Sequence, residues 1–334
     1  MLDTTWERPP FDIVRFAHIE LVVRDLAASR EFYVDLLGLV VTEETDDALY
    51  LRGYEERLHH SLVLRRGAEP MVDHIAYRVW SPDDLERLGE HFTGLGCTPR
   101  WVGEEVESGL GPGRALRLQD PLGFPLEFFH DMRPAERLTQ RYDVYRGASI
   151  MRMEHVNLYV PDPVPAYDLY RSLGFRCSEY IETDDGRLCA VWLFRKPTVH
   201  DTAFTVGHGP RLHHLAYMPI DSQSIIRICD ILAGAHRESA IERGPGRHGV
   251  SNAFYVYLRD PDGHRVELYT GDYYTGDPDF EPIRWSASDA RRRSYWGHAV
   301  PDSWYEEGSR VASPGGGAVD LEPPVIDERV GAIR

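Results

Sequence analysis

With 15 histidines and 54 aspartates and glutamates, a trio of possible metal ligands drawn at random means little. His155, His214 and Glu267 are set apart by where they stand. His155 and His214 are 59 residues apart and Glu267 follows 53 residues later. Each falls in a strand-like alternation, as in His155-Val-Asn-Leu-Tyr-Val160. Two imidazoles and one carboxylate on one face of a metal leave other positions open, the donor set used by non-haem iron(II) oxygenases. Open positions let an electron-rich substrate and dioxygen meet on one ion. Zinc in the same donors has no redox chemistry and would suit hydrolysis or isomerisation.

The elements that carry these residues are visible because the chain repeats itself. FAHIELVVRDLAASREFYVDLLGL at 16–39 matches MEHVNLYVPDPVPAYDLYRSLGF at 153–175. DHIAY at 73–77 matches HHLAY at 213–217, and DPLGFPLEFF at 120–129 matches DPDGHRVELY at 260–269. Three matches in the same order argue for a duplicated domain. Each half divides again into a strand, a helix pattern and several short strands, with units starting near Phe16, Val72, Arg152 and Leu212. Helices are predicted over Leu26–Leu37 and Ser222–Leu232. The Asp-Pro-Leu-Gly and Asp-Pro-Asp-Gly runs are turns joining two strands. The expected fold is α+β: four βαβββ modules paired into two homologous domains. The linker falls near Glu136–Gly147. The tail from Ala312, with SPGGGAVD, reads as flexible.

Composition narrows the function classes. The 334 residues are 42% hydrophobic and carry a formal net charge of −17. A surface that acidic repels phosphate backbones, so nucleic acid is a poor partner. No apolar run approaches the roughly 18–20 residues of a membrane span, and the first residues show no secretory signal. Cys97, Cys177, Cys189 and Cys229 are scattered, with no C-x-x-C pair, which argues against a disulfide framework or thiolate zinc site. A cytoplasmic protein is expected.

Several segments carry a specific resemblance: REFYVDLLGL at 30–39, ERLTQRYD at 136–143, TVHDTA at 198–203, GPRLHH at 209–214, IERGPGRHGVSNAFY at 241–255, DPDGHR at 260–265 and DYYTGDPD at 272–279. Over roughly residues 11–310 the chain resembles the type I extradiol dioxygenases of the vicinal oxygen chelate superfamily. The resemblance implies that fold, with residues 11–135 a non-catalytic N-terminal domain, 150–280 the catalytic domain, and 281–334 a lid and flexible tail. It implies one Fe(II) or Mn(II) per chain, held by His155, His214 and Glu267. It also implies 3,4-dihydroxyphenylacetate and dioxygen as substrates, 5-carboxymethyl-2-hydroxymuconate semialdehyde as product, and a homotetramer.

The same resemblance assigns roles around the metal. His200 is the acid–base histidine beside the oxygen site, and a histidine near its ordinary pKa of about 6.5 exchanges protons at neutral pH. Tyr257 and His248 hydrogen-bond substrate oxygens. Asn157, on the same strand face as His155, lies near bound oxygen. Trp192 packs against substrate, Arg243 and Arg293 bind its carboxylate, and Trp304 lies in the lid. On the residues alone, His200 and His248 read as surface histidines and Arg291-Arg292-Arg293 as a solvated charge run. His213, next to His214 on a strand, should point away from the metal.

The N-terminal half carries His18, His74 and Glu127 at the aligned positions, spaced 56 and 53 residues apart, and His60 aligns with His200. These are either a second metal site or polar residues left by duplication. Three rival functions stay open: a zinc or nickel isomerase of glyoxalase type, cleavage of a different catechol, and a drug-sequestering binding protein of this fold.

Overall fold

A computed structural model describes residues 2–103 and 113–326. Within them the chain forms four successive βαβββ modules. The first comprises β1 (Ile13–Val23), α1 (Leu26–Arg30), β2 (Val40–Glu44), β3 (Ala48–Arg52) and β4 (Leu62–Arg66). The second comprises β5 (Met71–Val79), α2 (Pro82–Gly94), β6 (Arg100–Val102), β7 (Ala115–Gln119) and β8 (Pro125–Phe129). The third comprises β9 (Ile150–Val160), α3 (Pro163–Ser172), β10 (Arg176–Glu182), β11 (Leu188–Phe194) and β12 (Thr202–Val206). The fourth comprises β13 (Arg211–Pro219), α4 (Ser222–Gly234), β14 (Ile241–Arg247), β15 (Phe254–Arg259) and β16 (Arg265–Thr270). The α+β duplication expected from the repeats is the architecture observed.

Local chemistry explains the repeated letters. Asp25, Asp162 and Asp221 each cap a helix by accepting backbone N–H groups of its first turn, and Ser81 with Asp84 forms a capping box. The shared Leu-Gly ends the first helix of each half. Gly38 and Gly174 adopt left-handed φ values of +89° and +86°, which glycine reaches without strain. A Cβ on Gly38 would come within 2.3 Å of the Arg146 carbonyl oxygen. The helix predicted over Leu26–Leu37 is α-helical only to Arg30, then widens into a π-helical turn, Glu31–Leu36. That widening buries the consecutive Phe32 and Tyr33 together, and the Tyr33 hydroxyl reaches Asp260 of the other half at 3.0 Å.

Each half builds one sheet with its two first strands at the centre. The N-terminal order is β2-β3-β4-β1-β5-β8-β7-β6. The C-terminal order is β14-β15-β16-β13-β9-β12-β11-β10, extended by β17 (Ile283–Ser286) beside β10. On β9 the side chains alternate: Val156, Leu158 and Val160 enter the hydrophobic core, which runs continuously through both halves. Burying such residues contributes about 1.5–3 kcal/mol each, enough to hold the strand while its other face carries polar groups. Tyr77 Oη to Thr202 Oγ1 (2.6 Å) and the Phe16 amide to Asp201 (2.9 Å) add polar ties between the halves.

The segment after residue 280 is, among the described residues, a strap, and its part from Ala312, whose Pro and Gly content reads as flexible, is tied down with the rest. β17 pairs with β10, β18 (Ser309–Arg310) pairs with β13, Val311 is fully buried, and Glu322 exchanges backbone hydrogen bonds with Gly209. Pro and Gly exclude regular helix, not order: the backbone groups find partners on strands already formed. The rest of the expected flexible tail, residues 327–334, lies outside the described residues. No helix among the described residues is long and apolar enough to cross a membrane.

Candidate active site

Strand register assembles the triad. β9 runs antiparallel to β13, and β13 runs parallel to β16. His155 and Glu267 both stand opposite Ala216, and His214 precedes Ala216 by two positions on the same face. The methyl group of Ala216 leaves the three longer side chains free to converge above it. His155 Nε2 lies 3.3 Å from His214 Nε2 and 3.0 Å from Glu267 Oε2, and His214 Nε2 lies 3.1 Å from Glu267 Oε2. Donor atoms at adjacent corners of an octahedron with bonds of about 2.1 Å are about 3.0 Å apart. The three atoms therefore fit one face of a six-coordinate ion.

Charge makes the same point. All three groups are almost fully buried. Burial holds His214 down to about 4, so it is neutral at pH 7 and its lone pair is free to ligate. Burial also lowers His248, the third imidazole beside Glu267. A buried carboxylate without a compensating charge costs several kcal/mol, and the neutral His214 and His248 rings do not supply that charge. The donors fit a divalent cation.

One cavity opens onto this face. It is lined by His155, His214 and Glu267 together with Asn157, Trp192, His200, Arg243, His248, Tyr257, Arg293 and Trp304. Each residue singled out from the sequence for the catalytic half thus meets the others at one place. His200 and His248, read as surface residues on their letters alone, are not exposed: His200 is buried against strand β9, and His248 is half-buried under a stacked Tyr255 ring (3.8 Å, 15°). His200 lies with its ring 3.8 Å from that of His155, and burial pushes it well below its ordinary pKa. It therefore stands neutral at pH 7, unlike a histidine near its ordinary pKa.

Partners fix the other tautomers. The Arg293 carbonyl can only accept, so His248 Nδ1 carries the hydrogen across 2.7 Å. His248 Nε2 then accepts from the Tyr257 hydroxyl at 2.8 Å. Thr205 Oγ1 donates to Asn157 Oδ1 at 3.2 Å, which leaves the amide N–H groups for the cavity. Arg243 Nη2 donates to the Arg293 carbonyl at 2.7 Å, while its Nε and Nη1 are buried with no hydrogen-bond partner among the described residues. His213 does not line the cavity. Its Nδ1 lies 2.5 Å from His214 Nδ1 and its Nε2 3.1 Å from the Trp304 carbonyl.

The strap closes the cavity through α5 (Ser303–Glu306). Glu242 accepts from Ser303 Oγ (2.7 Å) and from Arg265 Nε (2.5 Å), and Arg265 Nη2 donates to the Ser303 carbonyl (2.9 Å). Burial would raise Glu242, yet Arg265 and Arg259 hold it at about 2, so this anchor is charged at neutral pH. It sets Trp304, whose ring lies 4.4 Å from that of Tyr257.

Comparison with known proteins decides the family. The model of the Glyoxalase/Bleomycin resistance protein/Dioxygenase superfamily matches residues 15–128 and 152–268, one span in each half. The chain belongs to this superfamily. Homoprotocatechuate 2,3-dioxygenase from Brevibacterium fuscum, solved as an anaerobic complex with 3,4-dihydroxyphenylacetate, is 46% identical. The match covers 96% of this chain and 100% of that one, with a TM-score of 0.91. A manganese-dependent 2,3-dihydroxybiphenyl 1,2-dioxygenase from Geobacillus genomosp. 3 is 35% identical over 85% of this chain and 94% of its own. A metapyrocatechase from Geobacillus stearothermophilus is 31% identical over 93% and 98%. Within the superfamily the chain is an extradiol ring-cleaving dioxygenase, and its cofactor is Fe(II) or Mn(II).

Arg292 and Tyr269 are among the cavity residues of this dioxygenase that the sequence did not single out. Arg292 lines the cavity, buried, between Arg291, which is exposed and paired with Asp289, and Arg293. Three identical letters on a short 3₁₀ turn give no sign of which one points inward. Tyr269 also lines the cavity. It follows Glu267 by two residues on β16, so strand alternation was a usable signal for it.

Proposed function

We propose that this extradiol dioxygenase opens 3,4-dihydroxyphenylacetate beside its diol, giving 5-carboxymethyl-2-hydroxymuconate semialdehyde. The observation that carries the choice of substrate is Arg243, whose buried Nε and Nη1 face a cavity that Arg292 and Arg293 also line. Glu267 is the one carboxylate among the described lining residues. Guanidinium groups in that setting suit a carboxylate, which they bind through two parallel hydrogen bonds. A neutral biphenyl diol would leave Nε and Nη1 of Arg243 unmatched.

In this reading His155, His214 and Glu267 would hold the ion, which when bound would supply a meeting point for diol and dioxygen and a path for charge between them. Arg243 and Arg293 fix the substrate's acid end and so set which ring edge faces the triad. The Tyr257 hydroxyl, kept protonated by burial, and His248 hydrogen-bond the ring oxygens once the substrate breaks the bond they make to each other. Neutral His200 takes a proton at its imidazole and delivers it to the oxygen side, where the Asn157 amide also points. Trp192 and Trp304 exclude water. Residues 11–135 form the non-catalytic half, 150–280 the catalytic half, and 281–334 contain the lid. A cytoplasmic homotetramer is the location and assembly that the resemblance implies.

Oxygen uptake by protein loaded with Fe(II) or Mn(II) tests this. We expect one dioxygen consumed per 3,4-dihydroxyphenylacetate, a yellow product, and kcat/KM at least about 100-fold above that for 2,3-dihydroxybiphenyl, the scale of discrimination that buried, unmatched polar groups impose. Preference for the biphenyl diol would refute the substrate assignment.

A further inference from the structure

The N-terminal half rebuilds the triad in the same register. His18 and Glu127 both stand opposite Ala76, and His74 precedes Ala76 by two positions, as His155, Glu267 and His214 are placed around Ala216. The three side chains are buried. His18 Nε2 lies 3.1 Å from His74 Nε2 and 3.3 Å from Glu127 Oε1. Asp73 accepts from His74 Nδ1 at 2.8 Å, which turns the Nε2 lone pair toward the cluster, as the outer partner of a metal-bound histidine does. His60 packs on His18, its ring 4.9 Å away, as His200 packs on His155.

One position differs in charge. Opposite Glu267 on β15 stands Tyr257; opposite Glu127 on β7 stands Arg117. The Tyr257 hydroxyl is drawn aside to His248. The Arg117 guanidinium instead enters the cluster, with Nε 2.6 Å from Glu127 Oε2 and Nη2 3.3 Å from His74 Nε2. It thus engages one donor atom on each of two of the three ligands, His74 Nε2 and Glu127 Oε2. It also brings the positive charge that a buried carboxylate requires.

We propose that His18, His74 and Glu127 form a latent divalent-metal site which Arg117 keeps closed by serving as its built-in cation. One arginine then accounts for the expectation that a chain with two matched donor sets holds one ion and not two. The half without a metal keeps its buried carboxylate neutralised by a charge that cannot dissociate. The inference concerns metal content alone and stands or falls separately from the choice of substrate.

The test is Mn(II) stoichiometry after metal loading and desalting. Wild type should retain one Mn(II) per chain. Arg117→Met should retain two, and so should Arg117→Tyr, which places at 117 the residue type found at 257. Adding His74→Ala to either should return the count to one. Two ions in wild type, or one in a folded Arg117 variant, would overturn the proposal. If the Arg117 variants unfold, Mn(II) should restore their thermal transition; failure of Mn(II) to do so overturns the proposal equally.

Discussion

Glu267→Gln should strip the ion from the C-terminal centre and abolish ring cleavage. The carboxylate is buried, sits 3.0–3.1 Å from both ligand imidazoles, and provides the triad's one negative charge. Removing one partner of a buried charge pair costs about 3–5 kcal/mol, or ~10²–10⁴-fold in metal affinity. Metal analysis should show well under one ion per chain at loadings that saturate wild type, with oxygen uptake falling in proportion. The neutral isostere preserves shape, so the folded fraction should hold. The matching change in the other half, Glu127→Gln, should leave the count at one, because there the cation is Arg117. Full metal content and turnover in Glu267→Gln would show that the ion is held elsewhere.

The second large effect concerns the acid end of the substrate. Arg243→Leu should lower kcat/KM for 3,4-dihydroxyphenylacetate by about 30- to 5000-fold, since losing one partner of a buried, hydrogen-bonded charge pair costs about 2–5 kcal/mol. For 4-methylcatechol, which has no carboxylate, the same variant should change by less than about threefold, a bound set by the loss of packing alone. Arg243→Lys should recover part of the loss and not all of it, because an ammonium offers no planar fork. Steady-state kinetics on the two substrates separates the explanations. An equal fall on both would mean that Arg243 acts by shaping the cavity, through its 4.3 Å contact with the Trp304 ring.

Much of this was legible in the letters because duplication preserved their order. The Asp caps, the Leu-Gly helix ends and the His and Glu positions each recur where the fold needs the same local geometry twice. The triad could be read because β-sheet register converts sequence spacing into adjacency: residues two apart on β13 share a face, and Ala216 pairs with both neighbours. What stayed hidden depended on three-dimensional context. Which of Arg291, Arg292 and Arg293 turns inward is set by the strap's path, not by its composition. The neutral state of His200 comes from burial against His155, which no local pattern encodes. Arg117 lies on an ordinary alternating strand, and its role emerges only when β7 and β8 bring it opposite Glu127. The strap itself reads as loop, because its partners are strands that lie far earlier in the chain.

The central claim is that one redox-capable ion sits on the face formed by His155, His214 and Glu267. Anomalous scattering from crystals of the Mn(II)-loaded protein locates the ion directly. One strong peak should lie about 2.0–2.2 Å from His155 Nε2, His214 Nε2 and a Glu267 oxygen, with none among His18, His74 and Glu127. A peak away from those three atoms, or none in fully loaded crystals, would contradict the account.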